Sequence, residues 1–400
     1  MNKAADPVAI ARDLDGVTYR ETDGSEVWRS AAPLTGEHFR ELSYLNAVDL
    51  DVPYPKYWDA MRTRSAATAI GSRFVFEYIR LFTASHCPRG CGFCNSQSFL
   101  PASQGGKLKI AALAPEEIVD LIERSVRAHG ARGFAFSDDD FPIGGAAGIE
   151  RLAKTCDLIA ASKAAGRIEA DMQFACQARI ADFLMAGRVP NRGVMEKMKA
   201  AGLVSIALGV ETFVDRLLKA PSVNKVGVTS ADCTNVLDTM LDVGLTPLMN
   251  LIIGIPEQEP AELAFTLGTA LTYIQRGCEI NVTGPMYALP GAPLMTNPDY
   301  PIADQSWVHP QTGTTVSIPH RFIPRDAQIA ALSERFEQDF SDSLDALLKE
   351  RGWEGRILHK RAKNCLSLLV SARGIGDEAL AERCRRVLDE LLAGKLRIAS

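Results

Sequence analysis

Three cysteines lie within eight residues of this 400-residue chain, at Cys87, Cys91 and Cys94. Their spacing is C-x3-C-x2-C, and an aromatic residue, Phe93, stands directly before the third cysteine. Three thiolates on one short loop can hold three corners of a [4Fe–4S] cube, because each sulfur ligates one iron. No fourth cysteine lies nearby, so the fourth iron would stay open to another molecule. The three cysteines are therefore the predicted metal ligands and the predicted centre of catalysis.

A structural zinc site is the alternative interpretation of clustered cysteines. Zinc takes four ligands, usually from two separated pairs, whereas this loop offers three thiols and His86, which is badly placed beside Cys87 to complete the tetrahedron. The other cysteines stand singly, at Cys156, Cys176, Cys233, Cys278, Cys365 and Cys384. Cysteines placed singly usually serve as small core residues, and their scatter argues against a second iron–sulfur cluster. The spacing favours an iron–sulfur cluster.

Composition excludes several classes of protein. The net charge of −5 leaves no strong footprint for binding nucleic acid. Residues 1–16 contain no apolar stretch of signal-peptide length, and no segment approaches the roughly 18 apolar residues that cross a bilayer. We therefore expect a cytoplasmic protein with reduced thiols, with neither nucleic acid nor a membrane as a partner.

Strand-like apolar segments alternate with amphipathic segments through the middle of the chain. The predicted strands cover residues 74–83, 133–137, 169–176, 204–209, 247–253 and 280–287, and the predicted helices cover residues 115–129, 147–165, 194–201, 230–243 and 261–276. This alternation predicts a six-stranded parallel sheet flanked by helices. By itself it does not separate a barrel from an open doubly wound sheet.

Each predicted strand is followed by residues that could bind a ligand. Parallel barrels carry their chemistry at the C-terminal ends of the strands. The segments at these ends are, in chain order, the cysteine loop, Ser137–Phe141, Gln177 with Arg179, Gly209–Thr212, Gly254–Glu257 and Tyr287–Pro293. Their common position predicts one site at one edge of the sheet.

The cysteine spacing and these strand ends together resemble the radical S-adenosylmethionine superfamily. In that superfamily the methionine end of S-adenosylmethionine chelates the open iron of a [4Fe–4S] cluster. The resemblance implies an α/β fold, a partial (β/α)6 TIM-like barrel, over residues 66–295. An N-terminal extension would cover residues 1–65, and a mostly helical C-terminal region would cover residues 296–400.

The resemblance also implies which residues meet the amino-acid end of S-adenosylmethionine. Asp138 or Asp139 would accept from its ammonium, although the glycine pair common in the superfamily is absent; a solvated loop or helix cap is the alternative. Arg179 would grip the carboxylate through two hydrogen bonds, unless it pairs with a helix acid. Gln177 or Gln173 would reach the ribose or the amino group.

Two further segments resemble superfamily motifs for the nucleoside end. Glu211 lies in a Gly-Val-Glu-Thr segment similar to Gly-Val-Glu-Ser, and it would approach the ribose hydroxyls or the sulfonium. Residues 250–257 partly match G-x-I-x-G-x-x-E, with asparagine in place of the first glycine and Gly254 as the second. Ile252 would pack on the adenine, although ordinary barrel core is an equal interpretation. Phe93 would place backbone groups near the adenine edge.

The superfamily resemblance implies a reaction. The reduced cluster would cleave S-adenosylmethionine to a 5′-deoxyadenosyl radical, which would abstract hydrogen from a small-molecule or peptide substrate. An electron donor such as flavodoxin or ferredoxin would reduce the cluster. A non-catalytic iron–sulfur or zinc scaffold that serves a partner is the alternative.

The barrel is most similar to that of cobalamin-binding radical S-adenosylmethionine proteins, over about residues 50–295. The roughly 50 residues before it are too few for a cobalamin domain, and no D-x-H-x-x-G motif occurs. We therefore expect no bound cobalamin unless a partner chain supplies it, and a cobalamin-dependent methyl transfer is the alternative reaction.

The flanking regions carry simpler signals. Residues 16–29 predict a β-hairpin around an Asp23-Gly24 turn. Residues 296–324 predict an irregular crossing. The segments at 326–351, 359–373 and 377–393 predict helices, the last two separated by glycines.

Overall fold

The computed structural model describes residues 7–32, 34–47, 52–68, 78–96, 98, 109–143, 145–310, 312–354, 358 and 360–394. Three predictions partly fall outside this range: residues 74–77 of the first strand, Gln311 in the predicted irregular crossing, and His359 at the start of a C-terminal helix. Within the described residues, no helix has the length and apolar character needed to cross a membrane.

The N-terminal extension is built from short elements. They are helix α1 (Pro7–Arg12), strands β1 (Thr18–Arg20) and β2 (Glu26–Trp28), helix α2 (Gly36–Arg40) with a π-helical turn at Glu41–Leu45, and helix α3 (Tyr54–Thr68). Strands β1 and β2 pair antiparallel, which confirms the predicted hairpin. Gly24 has a φ of 87°, and the Asp23 carboxylate accepts a hydrogen bond from the Ser25 amide at 2.9 Å, so the turn uses the predicted residues.

Six parallel strands form the central sheet and lie side by side in chain order. They are β3 (Tyr78–Leu81), β4 (Gly133–Phe136), β5 (Gln173–Arg179), β6 (Leu203–Glu211), β7 (Thr246–Ile253) and β8 (Glu279–Pro285). Chain-order neighbours with helical crossovers are the arrangement of a (β/α) barrel wall. The predicted six-stranded partial barrel is confirmed.

Helices connect successive strands. They are α4 (Pro115–His129), α5 (Ala146–Ala164), α6 (Arg192–Ala201), α7 (Asp215–Lys219), α8 (Ser230–Val243) and α9 (Pro260–Gln275). Their ends follow local sequence signals. Thr229 caps α8 by accepting from the Asp232 amide, and Gly244 ends that helix in the left-handed conformation.

The two faces of the sheet differ in burial, since successive strand residues point to opposite sides. Phe134, Phe174 and Ile206 are fully buried in the main hydrophobic core, which includes the surrounding helices. Their strand neighbours Ala135 and Ala207 are small and only partly buried on the other face. The helix-covered face therefore supplies packing, and the inner face leaves room for a ligand.

Strand β5 begins and ends later than the sequence predicts. The prediction placed it at residues 169–176, whereas it spans Gln173–Arg179. Residues before it turn instead, with Gly166 at a φ of 68° and the Met172 amide donating to the Glu169 carbonyl. Gln177 and Arg179 therefore lie at the C-terminal end of the strand rather than in the loop after it.

The C-terminal region begins with two strands, β9 (Ile302–Val308) and β10 (Thr315–Phe322), which form an antiparallel hairpin. The predicted irregular crossing over residues 296–324 is therefore wrong for this stretch. Pro319 obscures the strand pattern in the sequence, and the ladder accommodates it with a register shift between Pro319 and Arg321. Helices α10 (Ala327–Glu350), α11 (Lys360–Gly374) and α12 (Glu378–Leu392) follow and confirm the predicted helices.

Candidate active site

The cysteine loop follows β3 and lies at the C-terminal edge of the sheet. Cys87 is buried, and Cys91 and Cys94 are half-buried. Gly92 presses against the segment after α7: a β-carbon there would lie 2.2 Å from the Pro221 carbonyl oxygen. Only glycine permits this approach without movement of the backbone.

A second contact fixes the same side of the loop. The Asn224 side-chain amide donates to the Gly90 carbonyl at 2.6 Å, and Asn224 itself adopts a φ of 53°. Residues 220–225 therefore form a wall behind the cysteine loop, and we call them the back wall.

Asp138 fixes the start of the loop. Its buried carboxylate accepts hydrogen bonds from the Thr83 amide, the Thr83 hydroxyl and the Ala84 amide, each at 2.7 Å. Burial raises the pKa of Asp138, and these hydrogen bonds oppose that rise. The structure thus gives Asp138 a scaffolding contact that differs from the solvated loop or helix cap of the alternative, since it is buried and binds residues after β3. The ammonium contact predicted for it stays a prediction.

Asp139, the other predicted ammonium acceptor, is placed differently. Its side chain is exposed and accepts a hydrogen bond from the Ser96 hydroxyl, two residues after Cys94. Of the two predicted aspartates, Asp139 is the one with carboxylate surface open to a ligand beside the cysteines.

Arg179 lies in a cluster of charges beneath the loop. Its guanidinium donates to Asp182 at 2.8 Å and lies 3.3 Å from the Asp140 carboxylate. Arg89, from within the cysteine loop, approaches Asp140 at 3.6 Å and Asp182 at 3.8 Å. The ion pair that was the alternative for Arg179 is therefore present, and its contact with the cofactor carboxylate stays a prediction.

Asp140 is the most unusual member of that cluster. Its side chain is 0% exposed, and among the described residues neither carboxylate oxygen has a hydrogen-bond partner. Burial first, and then the neighbouring Asp182, raise the pKa of Asp140 to about 7. Sequence reasoning missed Arg89, Asp140 and Asp182; the only signals were the position of Arg89 between two cysteines and the third aspartate of the acidic run.

Glu211 ends β6 in a strained conformation. Its φ is 64°, a left-handed value that is rare for residues other than glycine. Its carboxylate pairs with Lys225 of the back wall at 2.7 Å, and the Lys225 ammonium also donates to the Gly209 carbonyl. Strained residues cluster at functional sites, so the backbone supports the prediction that Glu211 serves the site.

The residues predicted for the adenine separate into two groups. Phe93 and Ile252 meet in one apolar cluster at the mouth of the barrel. Gly254 has a φ of 70°, and a β-carbon there would lie 2.9 Å from the Ser333 hydroxyl of α10. The structure therefore explains Gly254 by helix packing, and it places Phe93 and Ile252 in one apolar cluster. Their contact with adenine stays a prediction. Gln177 is exposed on the inner face of β5.

Glu257, which ends the partial adenine motif, has a contact that the sequence did not predict. Its carboxylate accepts from the Ser222 hydroxyl and the Tyr300 hydroxyl, each at 2.5 Å. Ser222 belongs to the back wall, so Glu257 links that wall to the region before β9.

The chemistry of the three thiols fits a cluster of iron and sulfide. Burial raises the pKa of each cysteine, to about 12 for Cys87, so the thiolates need a bound cation for stability. Thiolate sulfur is the usual ligand of iron–sulfur clusters. The described part of the chain has no group of three or more His, Cys, Asp or Glu side chains close enough to share one metal ion; a cube distributes its cysteines over three irons.

Comparison with known proteins bears on this site. A family model described as "Radical SAM superfamily" matches residues 81–269, which include all three cysteines. A comparison with curated proteins finds no match.

Two solved structures are similar in fold. One is the cobalamin-dependent S-adenosylmethionine radical enzyme OxsB with aqua-cobalamin and S-adenosylmethionine bound: 14% identity and a TM-score of 0.57, covering 97% of this chain and 63% of that chain. The other is the radical S-adenosylmethionine methyltransferase TsrM from Kitasatospora setae with tryptophan substrate and an S-adenosylmethionine analogue bound: 13% identity and a TM-score of 0.50, covering 79% of this chain and 62% of that chain.

This chain spans less than two thirds of the length of either structure, and identities this low show a shared fold. Our expectation that no cobalamin binds is not confirmed, since the OxsB structure contains aqua-cobalamin. The family match and the cysteine loop at the sheet edge agree: over residues 81–269, this chain is similar to the radical S-adenosylmethionine superfamily.

Proposed function

We propose that this protein binds a [4Fe–4S] cluster through Cys87, Cys91 and Cys94 and uses it to cleave S-adenosylmethionine reductively. The observation that carries this proposal is the cysteine loop, held at the barrel mouth by Asp138 on one side and by the back wall on the other. When bound, a reduced cluster would supply the electron for cleavage of the carbon–sulfur bond of S-adenosylmethionine, and the 5′-deoxyadenosyl radical so released would take hydrogen from a substrate carbon.

The protein's own residues would bind and orient the S-adenosylmethionine. The exposed Asp139 carboxylate would accept from its ammonium, and the partly exposed Arg179 guanidinium would meet its carboxylate. The Glu211 carboxylate would reach the ribose, and Phe93 and Ile252 would contact the adenine in their apolar cluster. Ammonium, carboxylate and adenine would each then meet a partner of matching chemistry.

The surroundings of this reaction are part of the proposal. We place it in the cytoplasm, where thiols remain reduced, with flavodoxin or ferredoxin as the electron donor. The substrate is a small molecule or a peptide that enters at the inner face of the sheet. That face is lined by small side chains such as Ala135 and Ala207, which leave space for it.

Anaerobic reconstitution tests the proposal directly. The protein should bind about four irons per chain. With dithionite it should form 5′-deoxyadenosine from S-adenosylmethionine. Cys91→Ala should abolish that product, whereas Cys156→Ala, in the core and outside the loop, should leave it in place. Zinc in place of iron, or equal product from Cys91→Ala, would contradict the proposal.

Cobalamin chemistry is the second candidate, because the fold similarity to the OxsB structure extends over 97% of this chain. In that case cobalamin would come from a partner chain and would carry a methyl group to the substrate. Titration of the reconstituted protein with hydroxocobalamin, followed by its visible absorption, would detect binding by this chain alone. If the protein shows no cobalamin absorption after gel filtration, this chain does not bind cobalamin by itself. The second candidate would then require a partner chain that supplies the cobalamin.

A further inference from the structure

Lys225 is a buried cation at the end of the back wall. Its side chain is 10% exposed and that of Glu211 is 8% exposed, and the ammonium lies 2.7 Å from the Glu211 carboxylate. The same ammonium donates to the Gly209 carbonyl, two residues before Glu211. Lys225 therefore holds both ends of the strained turn of backbone that carries Glu211.

The back wall, which ends in Lys225, contacts the cysteine loop next to Cys91. Asn224, next to Lys225, donates to the Gly90 carbonyl at 2.6 Å, and Pro221 touches Gly92. The back wall thus contacts the residues on both sides of Cys91.

We propose that Lys225 is a positioning residue that fixes the Glu211 carboxylate at the end of β6 and offsets its negative charge beside Cys91. This inference rests on the proposed function, since it concerns a cluster bound by Cys91. Its consequence is electrostatic. Reduction adds one negative charge to a cluster, so a nearby cation stabilises the reduced form and a nearby unpaired carboxylate destabilises it.

Removing one charge of the pair should therefore shift the reduction potential of the cluster, in a direction that depends on which charge is removed. Without Lys225, the Glu211 carboxylate is left buried and unpaired, and the cluster becomes harder to reduce. Without the Glu211 charge, the Lys225 ammonium is unpaired, and the cluster becomes easier to reduce. With neither charge, the two effects cancel.

The test is the midpoint potential of the reconstituted cluster, measured by dithionite titration and electron paramagnetic resonance. We expect Lys225→Met to lower the ratio of reduced to oxidised cluster at a fixed potential about tenfold, which is about 59 mV for one electron. Glu211→Gln should raise the ratio, the double variant should lie near wild type, and Lys225→Arg should retain the wild-type potential. Lys197→Met is the matched control, because Lys197 pairs with Asp157 at the surface.

Thermal unfolding of the cluster-free variants gives a second readout. Lys225→Met should lower the unfolding midpoint, and Glu211→Gln added to it should restore part of the loss, since the unpaired carboxylate is then gone. If Lys225→Met does not fold, Glu211→Gln and Lys225→Arg still test the sign. Potentials that stay at the wild-type value in Glu211→Gln, or that move in the same direction in both single variants, overturn the inference while leaving the proposed function intact. Failure of the wild-type protein to take up iron would overturn the proposed function itself.

Discussion

Replacing Gly92 with alanine should displace the cysteine loop from the back wall. The new β-carbon would lie 2.2 Å from the Pro221 carbonyl oxygen and 2.8 Å from the Ser222 carbonyl oxygen, where separations below 3.0 Å are essentially never found. Both obstacles are backbone atoms, so neither can rotate away. Overpacking of this kind costs about 1–3 kcal/mol, and the loop must shift to relieve it. Cys91 and Cys94 flank Gly92 and would move with it.

We therefore expect Gly92→Ala to lower the free energy of unfolding by about 1–3 kcal/mol in urea and to reduce iron and sulfide incorporation sharply. Gly193→Ala is a matched control: Gly193 is an exposed position in α6, where a β-carbon would lie 3.8 Å from the Asn191 side-chain oxygen, and alanine favours a helix there. A Gly92→Ala protein with wild-type stability and a full complement of iron would refute the close approach of loop and wall.

Two further predictions concern the carboxylates near the loop. Asp138→Ala removes the acceptor of three hydrogen bonds and leaves buried amides at Thr83 and Ala84 unpaired. Urea denaturation should therefore show a free energy of unfolding lower by about 3 kcal/mol. A decrease below about 1 kcal/mol would contradict the scaffolding role. The pKa of Asp140 is about 7, above its ordinary 3.8, so the folded protein keeps a proton that the unfolded chain releases. This group therefore lowers stability as pH rises from about 4 to about 7. In cluster-free protein Asp140→Asn should remove that part of the pH dependence, and an unchanged profile would argue against it.

The sequence predicted the fold where the signal is local. Apolar strands alternating with helices carry the topology in their own periodicity, so the six parallel strands could be placed before any contact was known. Strand β5 was placed too early because its start depends on the turn at Gly166, which periodicity does not register. The hairpin β9–β10 was missed because Pro319 interrupts a pattern that tertiary pairing nevertheless completes.

The candidate site, like the fold, could be predicted only where its signal is local in the sequence. Cysteine spacing is a local signal and identified the loop. The partners of that loop come from distant parts of the chain: Gly92 meets Pro221, and Asn224 donates to the Gly90 carbonyl. A contact made by the folded backbone leaves no spacing in the sequence, so the back wall could not be read from it.

Charge balance explains why cations and carboxylates occur together around the cysteines. Three thiolates would bring negative charge into a half-buried loop, and three cations near it are already paired with acids: Arg89 and Arg179 with Asp140 and Asp182, and Lys225 with Glu211. An unpaired cation would be costly to bury before the cluster arrives, whereas an ion pair limits that cost. The acids therefore let the chain fold with its cations in place, and the cations then oppose the charge of the bound thiolates. A carboxylate so close to a cluster would hinder its reduction if it were unpaired. The cation of each pair therefore offsets the carboxylate charge at the cluster, just as the carboxylate lowers the cost of burying the cation.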